Sequence, residues 1–211
     1  MLMEKHLNIN EIFYSLQGES SFAGYPCVFI RLAECNLRCS YCDTQYAFGK
    51  GKSQAISSIM EQVKAYPCRL VEITGGEPML QDDVAELFPA LHVSGYKILL
   101  ETNGSIYLGD VPDYVIKIVD VKTPGSGVGE SFMKWNLKCL TPQDELKFVL
   151  TGYHDYRFAL DFIDANLPKV HAIHFSPVQS LLHPNDLAAW MLEDGVNAKL
   201  SLQLHKLLQI P

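Results

Sequence analysis

The stretch Val28-Phe29-Ile30-Arg31-Leu32-Ala33-Glu34-Cys35-Asn36-Leu37-Arg38-Cys39-Ser40-Tyr41-Cys42-Asp43-Thr44 decides the reading of the chain. Its first five residues are a β-prone apolar run broken only by Arg31. Period-two alternation sets Val28, Ile30 and Leu32 on one face and Phe29 and Arg31 on the other. The run ends in a polar loop carrying three cysteines spaced C-x3-C-x2-C. A strand that hands over to a chemistry-bearing loop is the unit from which the rest follows.

The same unit recurs along the chain. Strands are predicted over Val28–Leu32, Leu70–Thr74, Lys97–Glu101, Val115–Asp120, Glu145–Leu150 and Ala172–Ser176. Helical periodicity lies between them. Ile56, Ile59, Met60 and Val63 follow Ser53 and stop before Pro67. Val84, Leu87, Phe88 and Leu91 follow Asp83, which sits three before Glu86 like a capping box, and Gly95 closes that helix. Phe158, Ala159, Phe162 and Ile163 mark a third helix; Leu187, Ala188 and Met191 a fourth, ending at Gly195. Strand, helix, strand in succession implies parallel pairing with right-handed crossovers. The fold class is therefore α/β, an incomplete β/α barrel of about six strands or a strongly curved open parallel sheet. The 211 residues suit one domain, 1–211, and fall short of the ~250 typical of an eight-fold barrel.

In such folds chemistry collects at the carboxyl ends of the strands. Ala33–Thr44, Thr74–Pro78, Glu101–Gly104, Asp120–Pro124 and Ser176–Gln179 all follow strands, so five polar loops converge on one rim. Pro124–Gly129 reads as a flexible Gly-rich loop.

Composition narrows the function. Seventeen basic and 24 acidic residues give a net charge of −7, with 48% hydrophobic and 19% charged residues. That is a globular balance without a basic run, which argues against a nucleic-acid surface. No apolar run approaches the ~18 residues of a membrane span. Met1–Phe13 carries Glu4 and no apolar core, so it does not read as a signal peptide, and the expected compartment is the cytoplasm. There, a tight cysteine cluster points to metal or redox chemistry rather than disulfides. Cys27, Cys68 and Cys139 are scattered and read as buried thiols. His174, among apolar neighbours, reads as a satisfied core histidine; Lys64–Arg69 reads as a solvated helix end.

Three thiolates in one loop can converge on one inorganic centre. A closed zinc site or a fully protein-held cluster wants four ligands. The residues alone allow a 4Fe-4S cluster with one iron left open, a zinc with a distant fourth ligand, or core cysteines. Thr74-Gly75-Gly76-Glu77-Pro78 allows close backbone approach to a ligand, or a plain β-turn.

Together the cysteine loop and the Gly-Gly-Glu-Pro turn resemble the radical S-adenosylmethionine (SAM) superfamily over almost the whole chain. The resemblance implies a partial β/α barrel, with Cys35, Cys39 and Cys42 holding a 4Fe-4S cluster. SAM chelates the open iron, and its one-electron cleavage yields a 5′-deoxyadenosyl radical, so no side chain is expected to be the catalytic group. The implied SAM contacts are Tyr41, Cys42, Asp43, Gly75, Gly76, Glu77, Lys122, Thr123, Pro124, Ser176, Pro177, Val178 and Gln179, with Glu101 and Asn103 beside them.

Glu11–Ser20 with Val28–Leu32, Cys42-Asp43-Thr44, and Ser201–Lys206 near Pro211 are similar to the 7-carboxy-7-deazaguanine synthase family of the 7-deazapurine (queuosine) pathway. That family is a carbon–nitrogen lyase. It converts 6-carboxy-5,6,7,8-tetrahydropterin to the ring-contracted deazaguanine with loss of ammonia, and regenerates SAM. The resemblance implies Mg²⁺ on Thr44, which otherwise reads as a helix cap. It implies substrate contacts at Leu16, Gln17, Gly18, Glu19, Arg31, Thr74 and Pro211. An Arg31 fork suits a carboxylate, and a carboxylate at Pro211 suits the pterin's N–H groups. His205 is a weaker substrate or dimer-contact candidate. A flavodoxin- or ferredoxin-like electron donor and a homodimer are implied on the same ground. The looser relatives that generate glycyl radicals on partner proteins are the alternative; a non-catalytic iron–sulfur or zinc module is the alternative of another class.

Overall fold

The computed structural model describes residues 4–211. Of the N-terminal stretch read against a signal peptide, Met1, Leu2 and Met3 lie outside the described residues.

The six predicted strands form the parallel heart of the molecule: β2 (Pro26–Leu32), β4 (Leu70–Gly75), β5 (Lys97–Thr102), β6 (Val115–Asp120), β7 (Glu145–Leu150) and β8 (Ala172–Pro177). They pair side by side and parallel. Three further strands extend the sheet to nine. β1 (His6–Leu16) runs antiparallel to β2, β3 (Lys52–Ala55) antiparallel to β1, and the short β9 (Lys199–Leu200) parallel to β8. The order is β3-β1-β2-β4-β5-β6-β7-β8-β9, so the sheet is open, a partial barrel.

Helices α1 (Ile56–Lys64), α2 (Val84–Val93), α3 (Tyr153–Asn166) and α4 (Pro184–Asp194) lie in the connections, and α5 (Leu204–Leu208) follows β9. They carry the predicted apolar stripes. The expected side-chain caps do not form: α1 starts at Ala55 without one, and Asp83 turns instead to Lys5, 2.8 Å away. Gly95 and Gly195 take left-handed φ values of 78° and 60° past α2 and α4, as helix-ending glycines do.

Strand parity splits the core in two. Val28, Ile30, Leu32, Val71, Ile73, Ile98, Leu100, Val115, Val119, Leu146 and Phe148 pack against the helices. The opposite face holds a smaller apolar floor of Cys27, Phe29, Leu70, Leu99, Ile116 and Ile118. Above that floor the concave face turns polar: Arg31, Glu72, Thr74, Glu101, Asp120 and Lys147 share its parity. Burying charges is costly unless they are paired, so this layer already marks a built site.

Two readings are corrected. Cys27 is fully buried, but Cys68 and Cys139 are only half-buried. Pro124–Gly129 is no free loop, because it opens with a 3-10 turn and is tied to its surroundings by hydrogen bonds described below. His174 is buried as expected, with Nε2 2.8 Å from the Glu145 carboxylate but not aligned for a hydrogen bond to it.

Candidate active site

The cysteine loop is held from four sides. Glu34 N–H donates to Ala47 O at 2.7 Å, and Ser40 donates its N–H to Ser126 O at 2.9 Å and its hydroxyl to Gly125 O at 2.8 Å. Arg38 donates to the carbonyls of Cys35 and Leu37 and lies 4.2 Å from the Phe48 ring centre. Asn103, at the end of β5, donates to Asn36 Oδ1 at 3.1 Å and reaches Cys35 Sγ at 4.0 Å.

The Gly-Gly-Glu turn is the fourth brace. Gly76 N–H donates to Leu32 O and Glu77 N–H to Glu34 O. A Cβ at Gly75 would lie 2.2 Å from Leu32 O, and one at Gly76 1.9 Å from Glu34 O. The glycines thus let this turn lie flat against the backbone that launches the cysteine loop. The Glu77 carboxylate is fully buried and accepts from Met79 N–H, Thr102 Oγ1 and Asn103 N–H, so it locks its own turn to the end of β5.

The rim encloses a cavity of about 830 Å³, in the range of small-molecule sites. Cys35, Cys39, Cys42, Tyr41, Asp43, Thr44, Gly75, Gly76, Lys122, Val178 and Gln179 line it, and so do Leu16, Gln17, Gly18, Glu19, Arg31, Thr74 and Pro211. Every expected metal and substrate position therefore faces one space. Glu77, Thr123, Pro124, Ser176 and Pro177 do not line it. Thr123 donates to Val149 O and Ser176 to Ser201 O, so these residues fix the loops from behind.

Donor chemistry tests the cofactors. Three thiols of one loop open onto the cavity. Among the described residues no three His, Cys, Asp or Glu side chains are drawn tightly enough to ligate a single ion, so the fit rests on thiol chemistry and shared exposure. Burial pushes the Cys35 and Cys39 thiols up while the Lys122 charge pulls each down. Beside them the Tyr41 hydroxyl and Asp120 Oδ1 are buried without a hydrogen-bond partner, on residues that line the cavity. Lys122 Nζ lies 2.7 Å from Asp120 Oδ2 and 5.8 Å from the Tyr41 ring centre. Thr44 precedes a 3-10 turn but makes no side-chain cap. Its hydroxyl donates to Asp43 Oδ1 at 2.9 Å, which sets two hard oxygens side by side.

The opposite wall is built by chain ends. Arg31 Nε donates to Glu11 Oε1 at 2.8 Å, and its guanidinium lies 5.6 Å and 5.8 Å from the Phe13 and Tyr46 ring centres. Glu19 meets Lys147 Nζ at 2.9 Å and accepts from Gln203 Nε2 at 2.7 Å. Burial would raise Glu19, but the Lys147 charge and these hydrogen bonds hold it at about 2. The C-terminal segment closes over the β1–β2 turn: Leu204 N–H donates to Gly18 O, and Ser15 Oγ to Pro211 O at 2.7 Å.

Sequence reasoning did not assign Glu72, Asp120, Lys147, Gln203 or Lys206 to the site, yet all line the cavity. The available signal was charge at inward strand parity. Glu72 shares the face of Phe29 and Thr74, and Lys147 pairs with Asp120.

Three thiols on the loop after the first parallel strand, braced by Gly-Gly-Glu at the end of the next, define a radical SAM enzyme. Residues 30–124 match the model of the radical SAM superfamily. The chain is 46% identical to the 7-carboxy-7-deazaguanine synthase of Koribacter versatilis, covering 97% of this chain and 98% of the relative. It is 43% identical to that of Chlorobaculum tepidum, covering 100% and 98%. The crystal structure of QueE from Escherichia coli superposes with a TM-score of 0.80 at 25% identity over 95% of both chains. The chain belongs to the 7-carboxy-7-deazaguanine synthase family, and as a radical SAM enzyme it uses a 4Fe-4S cluster and SAM. Archaeal TYW1 shares the fold alone, at a TM-score of 0.54 and 15% identity over 82% of this chain and 72% of that one.

Proposed function

We propose that the chain, as a single domain, converts 6-carboxy-5,6,7,8-tetrahydropterin to 7-carboxy-7-deazaguanine with loss of ammonia. One observation carries the proposal. A single cavity has Cys35, Cys39 and Cys42 on one wall and Arg31, Glu19 and Pro211 on the other. When bound, the cluster and SAM would supply carbon-centred radical chemistry able to activate the C–H bond of the ring carbon bearing the carboxylate.

The chain's own residues bind and orient. Cys35, Cys39 and Cys42 hold the cluster. Tyr41, Asp43, Gly75, Gly76, Lys122, Val178 and Gln179 face SAM, while Glu77, Thr123, Pro124, Ser176 and Pro177 set the loops that carry those contacts. Arg31 forks the substrate carboxylate, its aim fixed by Glu11 and two aromatic rings. Glu19, kept anionic, accepts from the donor edge of the pterin. Gln17 Oε1 accepts from Glu19 N–H and so fixes that turn. Leu16, Gly18, Thr74 and Pro211 complete the substrate wall. Thr44, with Asp43 beside it, offers hard oxygens for Mg²⁺, which would neutralise and orient the substrate carboxylate.

The net charge and the lack, among the described residues, of a helix long and apolar enough to cross a membrane accord with a cytoplasmic enzyme. A homodimer served by a flavodoxin- or ferredoxin-like donor completes the proposal. The test is anaerobic turnover of the carboxy-tetrahydropterin by iron-loaded protein with SAM, reductant and Mg²⁺. Deazapurine product supports the reading. SAM cleavage without it, alongside radical formation on a partner protein, points to the activating-enzyme alternative.

A further inference from the structure

We propose that Lys147 is a positioning residue of the substrate wall: its ammonium aims the Glu19 carboxylate and keeps it an ionised acceptor for the donor edge of the pterin. The inference rests on the substrate reading above.

Lys147 lines the cavity from β7 and is 4% exposed. Its backbone is fixed, since its carbonyl accepts from Val121 N–H at 2.8 Å and β7 is paired on both sides. Its ammonium donates to Glu19 Oε2 at 2.9 Å and to Glu101 Oε1, with Asp120 Oδ2 at 3.8 Å. An ammonium has three protons to give. Three carboxylates surround this one, so Lys147 acts on a substrate through them rather than by contact. The other Lys and Arg side chains that line the cavity are engaged elsewhere: Arg31 with Glu11 at 2.8 Å, Lys122 with Asp120 at 2.7 Å, and Lys206 with Asp43 at 2.6 Å. Lys147 is the cation left for Glu19.

Glu19 needs that cation. Its side chain, on the β1–β2 turn, is 13% exposed. Around it stand Glu72 of β4, Glu101 of β5 and Asp120 of β6, with Gln203 just before α5 and His205 within it. Lys206 bonds Gln203 rather than Glu19. Burial favours a neutral Glu19, and like charges nearby act in the same direction. A neutral carboxyl would present an O–H donor where the pterin also donates. The Lys147 charge, the Gln203 bond at 2.7 Å and the His205 charge oppose this and keep the carboxylate anionic. Lys147 takes one oxygen and Gln203 the other, which sets the rotation of the carboxylate and leaves a lone pair on each oxygen for the pterin's N–H groups.

The test is equilibrium binding of the carboxy-tetrahydropterin to iron-loaded protein without SAM, so that nothing turns over, from pH 6 to pH 9. Comparing variant with wild type at each pH cancels the pterin's own titration. Lys147→Met is expected to weaken binding about tenfold or more at pH 6, because each unit by which the Glu19 pKa exceeds the pH removes about a factor of ten in ionised carboxylate. The deficit should narrow towards pH 9. In a Glu19→Gln background the same substitution should change affinity less than about threefold. An equal loss in both backgrounds shows a merely structural role and overturns the proposal. A second comparison needs no Lys147 variant. The ratio of Glu19→Gln to wild-type affinity should stay constant across this range, because Glu19 is ionised throughout; a ratio that changes as Glu19 titrates overturns the proposal even if Lys147→Met fails to fold. Wild-type protein that binds no pterin refutes the substrate reading, and the proposal with it.

Discussion

Lys206 Nζ meets Asp43 Oδ2 at 2.6 Å, tying α5 to the cysteine loop. Burial would raise Asp43, but the hydrogen bond and charge of Lys206 hold it at about 2. Its folded value thus lies below its ordinary 3.8. The stabilisation is full above that ordinary value and is lost as pH falls through about 2. Both side chains are about half exposed, so the pair contributes at most about 1 kcal/mol. Lys206→Met is expected to leave the thermal midpoint nearly unchanged, speed amide exchange over 201–211, and raise KM for the pterin roughly two- to fivefold, the equivalent of that energy. Unchanged exchange and KM would show that the tie does not hold the segment.

Gly76 has no room for a side chain, because a Cβ would sit 1.9 Å from the Glu34 carbonyl oxygen. Backbone cannot yield as a flexible side chain can. Gly76→Ala should therefore push the cysteine loop off its seat. The expected result is a folded chain by circular dichroism with iron content well below wild type after reconstitution.

Glu77, fully buried, accepts from three donors: Met79 on its own turn, and Thr102 and Asn103 at the end of β5. Glu77→Ala strands those donors, and each unsatisfied buried group costs about 1–3 kcal/mol. Burial raises Glu77 while the Asn103, Thr102 and Met79 bonds oppose it. Urea unfolding should show a loss of about 3 kcal/mol or more, with Glu77→Gln recovering part of it.

Burial first, and the Glu101 charge second, push Glu72 well above the usual carboxylate range, which has a stability consequence with a definite sign. The folded state keeps the Glu72 proton to a higher pH than the unfolded chain, whose carboxyl titrates near 4.5. Above that pH the native state binds more protons, so stability falls as pH rises, with a slope of at most about 1.4 kcal/mol per pH unit for one proton. Glu72→Gln removes the slope. The variant should gain on wild type between pH 5 and pH 8 in denaturant midpoints, and a constant difference would contradict the assignment.

The parallel strands were legible because burial on the helix side leaves long apolar runs: β6 and β7 end at the residues the sequence predicts. β1 was not read as a strand from its pattern. Its register shifts between Ile9 and Glu11, so buried Leu7 and Ile9 fall out of phase with the later half-buried Ile12. β3 is an edge strand whose one apolar residue, Ala55, gives no alternation to read. At the site, the cysteines and glycines are legible because their chemistry is local. The pairing of Lys147 with Glu19, 128 residues away, depends on how the sheet curves, and no local pattern encodes it.

The central claim is that the bound radical chemistry acts on a carboxypterin and is returned rather than spent. It is tested most directly by counting deazapurine and ammonia formed per SAM consumed in an anaerobic reaction of the iron-loaded chain. The account predicts equal amounts of the two products and many turnovers for each SAM lost. Stoichiometric destruction of SAM, with neither product formed by fully iron-loaded protein, would contradict it.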